Sequence, residues 1–553
     1  MTTAIVDIET DSLNATKIHC IVARSYKTNK VKAWVGQECS EFVSWSQQID
    51  TFIMHNGISF DAPVLNRLLG CNIKLSQIRD TLIESQLYNP IRDGGHSLEA
   101  WGKTLGFEKG DFHDFLEYSP EMLEYCKRDT EVTRLVAQEL EVEGKGFKSK
   151  SYDLECKVRA IIDKQQKNGF AFKIREGMIL QAQLQDELHE LERKAEEDFA
   201  PTIIELKTKT KYIPFNIASR QQIAQELIKL GWKPKQFGKE IELKDGTTKK
   251  NVTINEMVLS KIKLPEAKMF NRYFLLQKRT GLIKSWIKAC EEDNRVRGKV
   301  MTLRTVTGRM AHAVPNMAQV PAIYSPYGRE CRGLWTVDDV SKYRLVGVDA
   351  SGLELRCLAH YMDDPEYTNI VLTGDVHTAN QERAGLKTRD QAKNFIYAFL
   401  YGAGAAKIGK IVGGNFKHGN QLITKFLNNM PALKNLREQV TRWSSTGTIS
   451  ALDGRLLHIR SEHAALNTLL QGAGAIVCKQ WLVHIMERVI KAKLDVRLVA
   501  SIHDEYQFEV AIPDIERFCR LTKEAMTQTT KTLKMKCELD CDYKVGKTWA
   551  DTH

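Results

Sequence analysis

No run of about 18 apolar residues occurs anywhere in these 553 residues, which argues against a membrane-spanning helix. Twelve cysteines are scattered without a Cys-x-x-Cys pair. The nearest two, Cys537 and Cys541, have no second pair or histidine pair beside them to complete a zinc site. They read as reduced, mostly buried thiols of a reducing compartment. Internal repeats and low-complexity tracts are missing too, which excludes a repeat array. The strand pattern Ala4-Ile5-Val6 begins almost at once and leaves no space for a signal or transit segment. The expectation is a soluble protein of the cytoplasm with no membrane partner.

Charge is present in moderate excess. Lys and Arg number 80 against 69 Asp and Glu, a net +11. That balance is consistent with a phosphate-backbone partner, although alone it decides little. Length implies roughly three to five compact units. Residues 1–147 alternate short β-type runs (Thr3 to Ile8, Ile18 to Ser25, Val31 to Val35) with helical sequence at Ser97 to Leu105 and Ser119 to Leu140. Residues 148–299 read as long amphipathic helices, for example Tyr152 to Asn168 and Glu176 to Phe199, broken by a region rich in lysine (Lys207, Lys209, Lys211, Lys244). Mixed character returns in 300–359, helices dominate 360–466, and 467–553 holds a strand at Val496 to Ile502 paired with Tyr506 to Val510.

Two aspartates far apart in the chain have the look of a split metal site. Asp349 ends the apolar run Leu345-Val346-Gly347-Val348, and Asp504 sits at the tip of the predicted hairpin. Between them, Arg389, Lys393 and Tyr397 stand at i, i+4 and i+8 on one helix face. Carboxylates for Mg²⁺ facing a cationic helix suit a nucleoside triphosphate. Taken singly, Arg389 and Lys393 fit a solvated helix face, and His377 fits a structural or capping histidine. The joint order of strand carboxylate, cationic helix and hairpin carboxylate is what carries the reading.

A second acidic set lies near the start. Asp7 and Glu9 alternate along a strand and point to one face, where they repel unless a cation lies between them. Such a pair arises by chance several times among 69 acidic residues, as a rough count. Asp61, after the turn His55-Asn56-Gly57-Ile58-Ser59-Phe60, adds weight, as do Tyr125 and Asp129 at i, i+4 on one helix face. Four carboxylates and a tyrosine make a two-metal hydrolytic site, with metals roughly 3.5–4 Å apart and Tyr125 orienting the water.

The order of these elements resembles a known family. Asp7, Glu9, Asp61, Tyr125 and Asp129 resemble the tyrosine-bearing ribonuclease H-like 3′→5′ exonucleases that proofread for family A DNA polymerases. Asp349 to Arg356 resembles motif A of that family, Arg389 to Tyr401-Gly402 its motif B, and His503-Asp504-Glu505 its motif C. Phe215-Asn216-Ile217-Ala218-Ser219-Arg220 resembles its thumb signature, with Ser219 suited to cap the following helix. The likeness covers nearly the whole chain and is nearest to the replicative polymerases of short-tailed bacteriophages.

The resemblance implies an α/β multidomain fold: an exonuclease domain (1–147), a helical thumb (148–299), a palm with an antiparallel sheet (300–359 and 467–553) and helical fingers (360–466). It implies two Mg²⁺ ions in each site, with Mn²⁺ able to substitute. Asp349, Asp504 and the Ala350 carbonyl hold one pair; Asp7, Glu9, Asp61 and Asp129 hold the other. Lys393 faces the α-phosphate or the leaving pyrophosphate, Arg389 the γ-phosphate and His377 the β-phosphate. Tyr397 packs beneath the sugar and Glu354 closes the space around C2′, so that dideoxynucleotides are accepted and ribonucleotides clash. Tyr401 either stacks where the templating base enters or is a plain core aromatic. Arg309, with Thr307-Gly308 before it, and Asn467, Gln471 and His503 contact primer and template, and Lys207, Lys209 and Lys211 the phosphate backbone. Glu505 points away from Asp504 and tunes the site rather than binding metal.

The implied substrates are primer-template DNA and dNTPs, used by a monomer working beside a helicase-primase and a single-stranded-DNA-binding protein. The best-known phage relatives carry a long thumb insertion that captures thioredoxin; the interval Ala200 to Pro214 is short, so thioredoxin is not expected. There is also no room for a 5′-nuclease domain. A repair or organellar polymerase and a chiefly exonucleolytic enzyme remain alternatives.

Overall fold

The computed structural model describes residues 2–205, 210–242 and 248–553. Lys207, Lys209 and Lys244 lie outside the described residues. Two compact units emerge: one of Met1–Asn168, Lys299–Ala313 and Ser341–Val545, the other of Gly169–Gly298, Val314–Val340 and Gly546–His553.

The first unit opens with a five-stranded sheet in the order Val31–Val35, Ile18–Ser25, Thr3–Thr10, Thr51–Met54, Ile78–Asp80. Neighbours pair antiparallel as far as Thr3–Thr10 and parallel beyond it. The central strand buries Ala4, Ile5, Val6 and Ile8, a two-sided core position that suits its apolar run. Helix Pro120–Glu143 packs across Thr3–Thr10 and Ile18–Ser25. Ser119 caps it by accepting the Met122 N–H at 3.2 Å, with Pro120 at the first helical position, as the sequence signals.

The second sheet of this unit runs Val496–Ile502, Glu505–Ala511, Tyr343–Ala350, Cys541–Gly546. Ile502 pairs with Glu505 across a two-residue turn in which His503 takes φ 57°, the left-handed conformation that tight hairpins need. Strand Tyr343–Ala350 turns sharply into helix Leu353–Met362 through Gly352 at φ 58°. That turn is tied down: the Ser351 hydroxyl donates to Asp542 at 2.8 Å, and the Arg356 guanidinium donates back to the Ser351 carbonyl at 2.9 Å. Helix Ala465–Ala492, buried along most of its length, packs against Ser149–Asn168, Leu353–Met362, Pro431–Ser444 and Ile515–Thr532. Helices fill most of 360–466 as expected, ending in the hairpin Thr448–Ser450 and Leu456–His458, which the sequence reading did not foresee.

Helix Ser149–Asn168 was expected to open a helical segment running to residue 299. It groups instead with the first unit, because Leu154, Val158 and Ile162 join the core that holds Val346, Phe508 and Leu482. In the second unit, helices Ile174–Asp198 and Pro265–Ala289 pack together and are pinned by Arg272 on Glu187 at 2.6 Å. Strand Phe170–Phe172 lies between Arg295–Val296 and Trp335–Thr336, over an aromatic cluster of Phe170, Phe172, Trp286, Trp335 and Trp549. Ser219 accepts the Gln222 N–H at 3.3 Å and caps Arg220–Lys229. Lys211 stands exposed on strand Thr210–Ile213.

Candidate active sites

The hairpin brings the two distant aspartates together. Asp349 is the cross-strand partner of Glu505, and the Ala350 N–H donates to the Asp504 carbonyl at 3.1 Å. Burial, and then the nearby Glu354 carboxylate, push the Asp504 carboxyl above its usual range. Glu505 is buried and accepts from Gln507 Nε2 at 2.6 Å.

Glu354, in the first turn of Leu353–Met362, receives the Tyr401 hydroxyl at 3.1 Å and faces Arg309 at 3.5 Å. Tyr401 stacks on Tyr397, ring centroids 6.4 Å apart, and remains partly exposed. Arg309, His503 and Asp504 line one pocket together with Gly474 and Lys479 of helix Ala465–Ala492. One and two turns before Gly474 on that helix, Gln471 Nε2 donates to Asn467 Oδ1 at 2.9 Å.

Helix Arg389–Leu400 starts at the Thr388 cap, whose hydroxyl accepts the Gln391 N–H at 3.2 Å. Its cations stand near His377: burial first, then Arg389 and Lys393, hold the His377 imidazole below its ordinary pKa. Arg389 itself reaches Asp375, the cap of helix Val376–Ala384, at 2.6 Å. Tyr397 joins the two groups. Its ring lies 6.0 Å from that of His377, while burial and the charges of Glu354 and Asp504 raise its phenol.

The amino-terminal carboxylates also converge. Asp7 and Glu9 share one face of Thr3–Thr10, Asp61 opens helix Asp61–Leu69, and Asp129 lies one turn after Tyr125. The turn before Asp61 is shaped by buried Asp80, which accepts the N–H groups of Asn56 and Ile58, each at 3.1 Å. Burial raises all four acids, helped by repulsion within the set at Asp7 and Glu9 and from Asp80 at Asp61, and opposed by Lys109 at Asp129: Asp7 goes well above its usual value, Glu9 to about 8, Asp61 to about 7, and Asp129 upward. Phe112 and Phe115 pack around Tyr125.

Both acidic sets fit divalent ions of the Mg²⁺ type. Their donors are hard oxygens, burial makes the Asp504, Asp7, Glu9, Asp61 and Asp129 carboxyls harder to ionise, and Asp129 Oδ1 is buried without a hydrogen-bond partner. Two residues of the amino-terminal site escaped the sequence reading. The Cys126 thiol donates to Asp7 Oδ2 at 3.4 Å, and Lys109 Nζ lies 2.7 Å from Asp129 Oδ2. Cys126 was within reach, since it precedes Asp129 by three on the same helix face. Lys109 carried no signal of its own.

The chain is similar to proteins of known family. The family model "DNA polymerase family A" matches residues 180–551. The DNA-directed DNA polymerase of Escherichia phage T7 is 31% identical, with 99% of each chain covered, and that of Enterobacteria phage T3 is likewise 31% identical over 99% of both. DNA polymerase I of Geobacillus stearothermophilus is 28% identical over 46% of this chain and 32% of its own. Among solved structures, the polymerase domain of Pol1 from M. smegmatis, in a complex with DNA primer-template and dNTP, superposes with a TM-score of 0.80 at 16% identity, covering 100% of this chain and 96% of that one. A likeness over nearly the full length of two phage polymerases, together with the family model over residues 180–551, places this chain in the family A DNA polymerases.

Proposed function

We propose that this DNA-directed DNA polymerase extends a primer by a two-metal mechanism and proofreads it in its amino-terminal domain, in the service of phage genome replication. The observation that carries the first half is the pairing of Asp349 with Glu505, the neighbour of Asp504 in the hairpin, with the Asp504 and Glu354 charges bearing on Tyr397 of the cationic helix. When bound, two Mg²⁺ ions there supply the charge that lowers the pKa of the primer 3′-hydroxyl and neutralises the triphosphate. The rest is positioning. Asp349, Asp504 and the Ala350 carbonyl hold the ions. Lys393, Arg389 and His377 bind the triphosphate, and Arg389 exchanges Asp375 for a phosphate. Removing one such donor costs about 10²–10³ in rate. Tyr397 and Glu354 shape the sugar pocket. Arg309, Asn467, Gln471 and His503 take the duplex, read through minor-groove acceptors that hardly differ among base pairs.

In the amino-terminal site, Asp7, Glu9, Asp61 and Asp129 hold the second pair of ions, and the Tyr125 hydroxyl orients the water that attacks the terminal phosphodiester. The test is a labelled primer on a longer template with Mg²⁺, with and without the four dNTPs, beside Asp504→Ala and Asp7→Ala. Extension with nucleotides and 3′ shortening without them, each lost with its own substitution, is the expected result. Shortening in both conditions would make the enzyme chiefly a nuclease.

A further inference from the structure

The amino-terminal site contains a cation of its own. Lys109 comes from the loop between helices Leu98–Leu105 and Pro120–Glu143, and its Nζ sits 2.7 Å from Asp129 Oδ2 and 4.8 Å above the Tyr125 ring. This is a built position. A Cβ at Gly102 would come within 2.9 Å of the Phe107 carbonyl and 3.0 Å of the Lys109 nitrogen, so only glycine lets the loop lie so close to the helix. On the other side Gly110 packs on Tyr125, where a Cβ would stand 3.3 Å from the ring. The Lys109 side chain is 25% exposed and that of Asp129 4%. Its charge also lowers the pKa values of Asp7 and Glu9 against the burial that raises them.

We propose that Lys109 is a positioning residue of the hydrolytic reaction: its ammonium holds Asp129 and Tyr125 in place and is the resident cation against which divalent ions compete. The inference rests on the exonuclease reading of this site. Its consequences have opposite signs. Removing the ammonium frees a buried carboxylate oxygen for a divalent ion, which tightens metal binding. It also leaves Tyr125 without its anchor, which slows turnover. A lysine that served only to pack the loop would, when removed, loosen both.

The experiment uses the full chain carrying Asp349→Asn and Asp504→Asn, so that Mn²⁺ bound at the polymerase site does not contribute. Mn²⁺ binding is read by paramagnetic resonance of the free ion, and 3′ shortening of a labelled single strand is measured at saturating metal. Lys109→Met is expected to bind Mn²⁺ about tenfold more tightly, the change a single pK unit represents. It should shorten DNA at least about tenfold more slowly, with KM for DNA little changed. Lys109→Arg should keep both near the parent's values, and Lys109→Gln should follow Met. Primer extension by the same variants with Asp349 and Asp504 intact reports folding. Unchanged or weaker Mn²⁺ binding, or unchanged turnover, overturns the proposal. If the parent protein shortens no DNA, the exonuclease reading fails, while the Mn²⁺ arm still decides whether Lys109 competes for the site.

Discussion

Glu9 shows how far a single side chain is bent to a site's needs. Burial first, and the Asp129 charge next, raise its carboxyl from an ordinary value to about 8. The folded metal-free protein therefore binds a proton at Glu9 that the unfolded chain releases near 4.5, so stability falls as pH rises between those values. Divalent ions held at the proposed site would remove the penalty by pairing with the charged form. Glu9→Gln should accordingly raise the melting temperature of the chelated protein at pH 8 relative to wild type and leave it nearly unchanged at pH 4. The Mg²⁺-induced rise in the wild type should grow from pH 6 to pH 8. Equal melting curves at pH 8 would show that water or a neighbouring cation already relieves the charge.

Between elements, a buried charge network ties four segments of the first unit. Lys479, on helix Ala465–Ala492, donates to both Glu155 oxygens at 2.7 Å and to the Thr302 carbonyl at 2.9 Å. Arg455 meets the same Glu155 at 2.7 Å and forks onto Asp453. Burial lowers the Lys479 ammonium to about 8 even against the pull of Glu155. Thr302 precedes Arg309 on the segment that lines the polymerase pocket, so the network fixes that segment against helix Ser149–Asn168. Glu155→Gln leaves two buried cations sharing one carboxylate and is expected to cost about 3–5 kcal/mol. Denaturant unfolding of the variant measures it, and a loss below about 1 kcal/mol would mean that the joint relaxes around the change. None of this joint was legible in the sequence, because residues 155, 302, 453, 455 and 479 share no period and meet only in the fold. The hairpin with Asp504 was legible for the opposite reason: apolar strands flank a two-residue turn, a purely local signal. Short parallel strands such as Thr51–Met54 and Ile78–Asp80 fell between these cases, too brief to show a period. Tyr401 was left open between stacking platform and core aromatic; it stacks on Tyr397 and gives its hydroxyl to Glu354, a long-range choice that spacing does not encode.

At the scale of the whole molecule the question is how long the polymerase stays on its template. The alignment with the phage T7 polymerase runs to 713 positions against a chain of 553, so stretches of that relative have no counterpart here. What this chain offers DNA is charge: a net +11, with Lys211 exposed on strand Thr210–Ile213 of the second unit. Affinity built on phosphate contacts falls with salt along a slope of about −0.9 per phosphate neutralised, so six to ten contacts lose roughly 10³–10⁵ between 50 and 200 mM. Chemistry within a bound complex depends far less on salt, since it neutralises no further backbone phosphates. The expected outcome is low to moderate processivity that shortens steeply across this range, measured as product length per binding event with a heparin trap, while single-nucleotide insertion by the pre-bound enzyme changes little. Product length independent of salt would mean that the grip is geometric enclosure rather than charge. In that case neutralising Lys211 would leave product length unchanged, whereas a charge-held grip loses about one unit of salt slope with it.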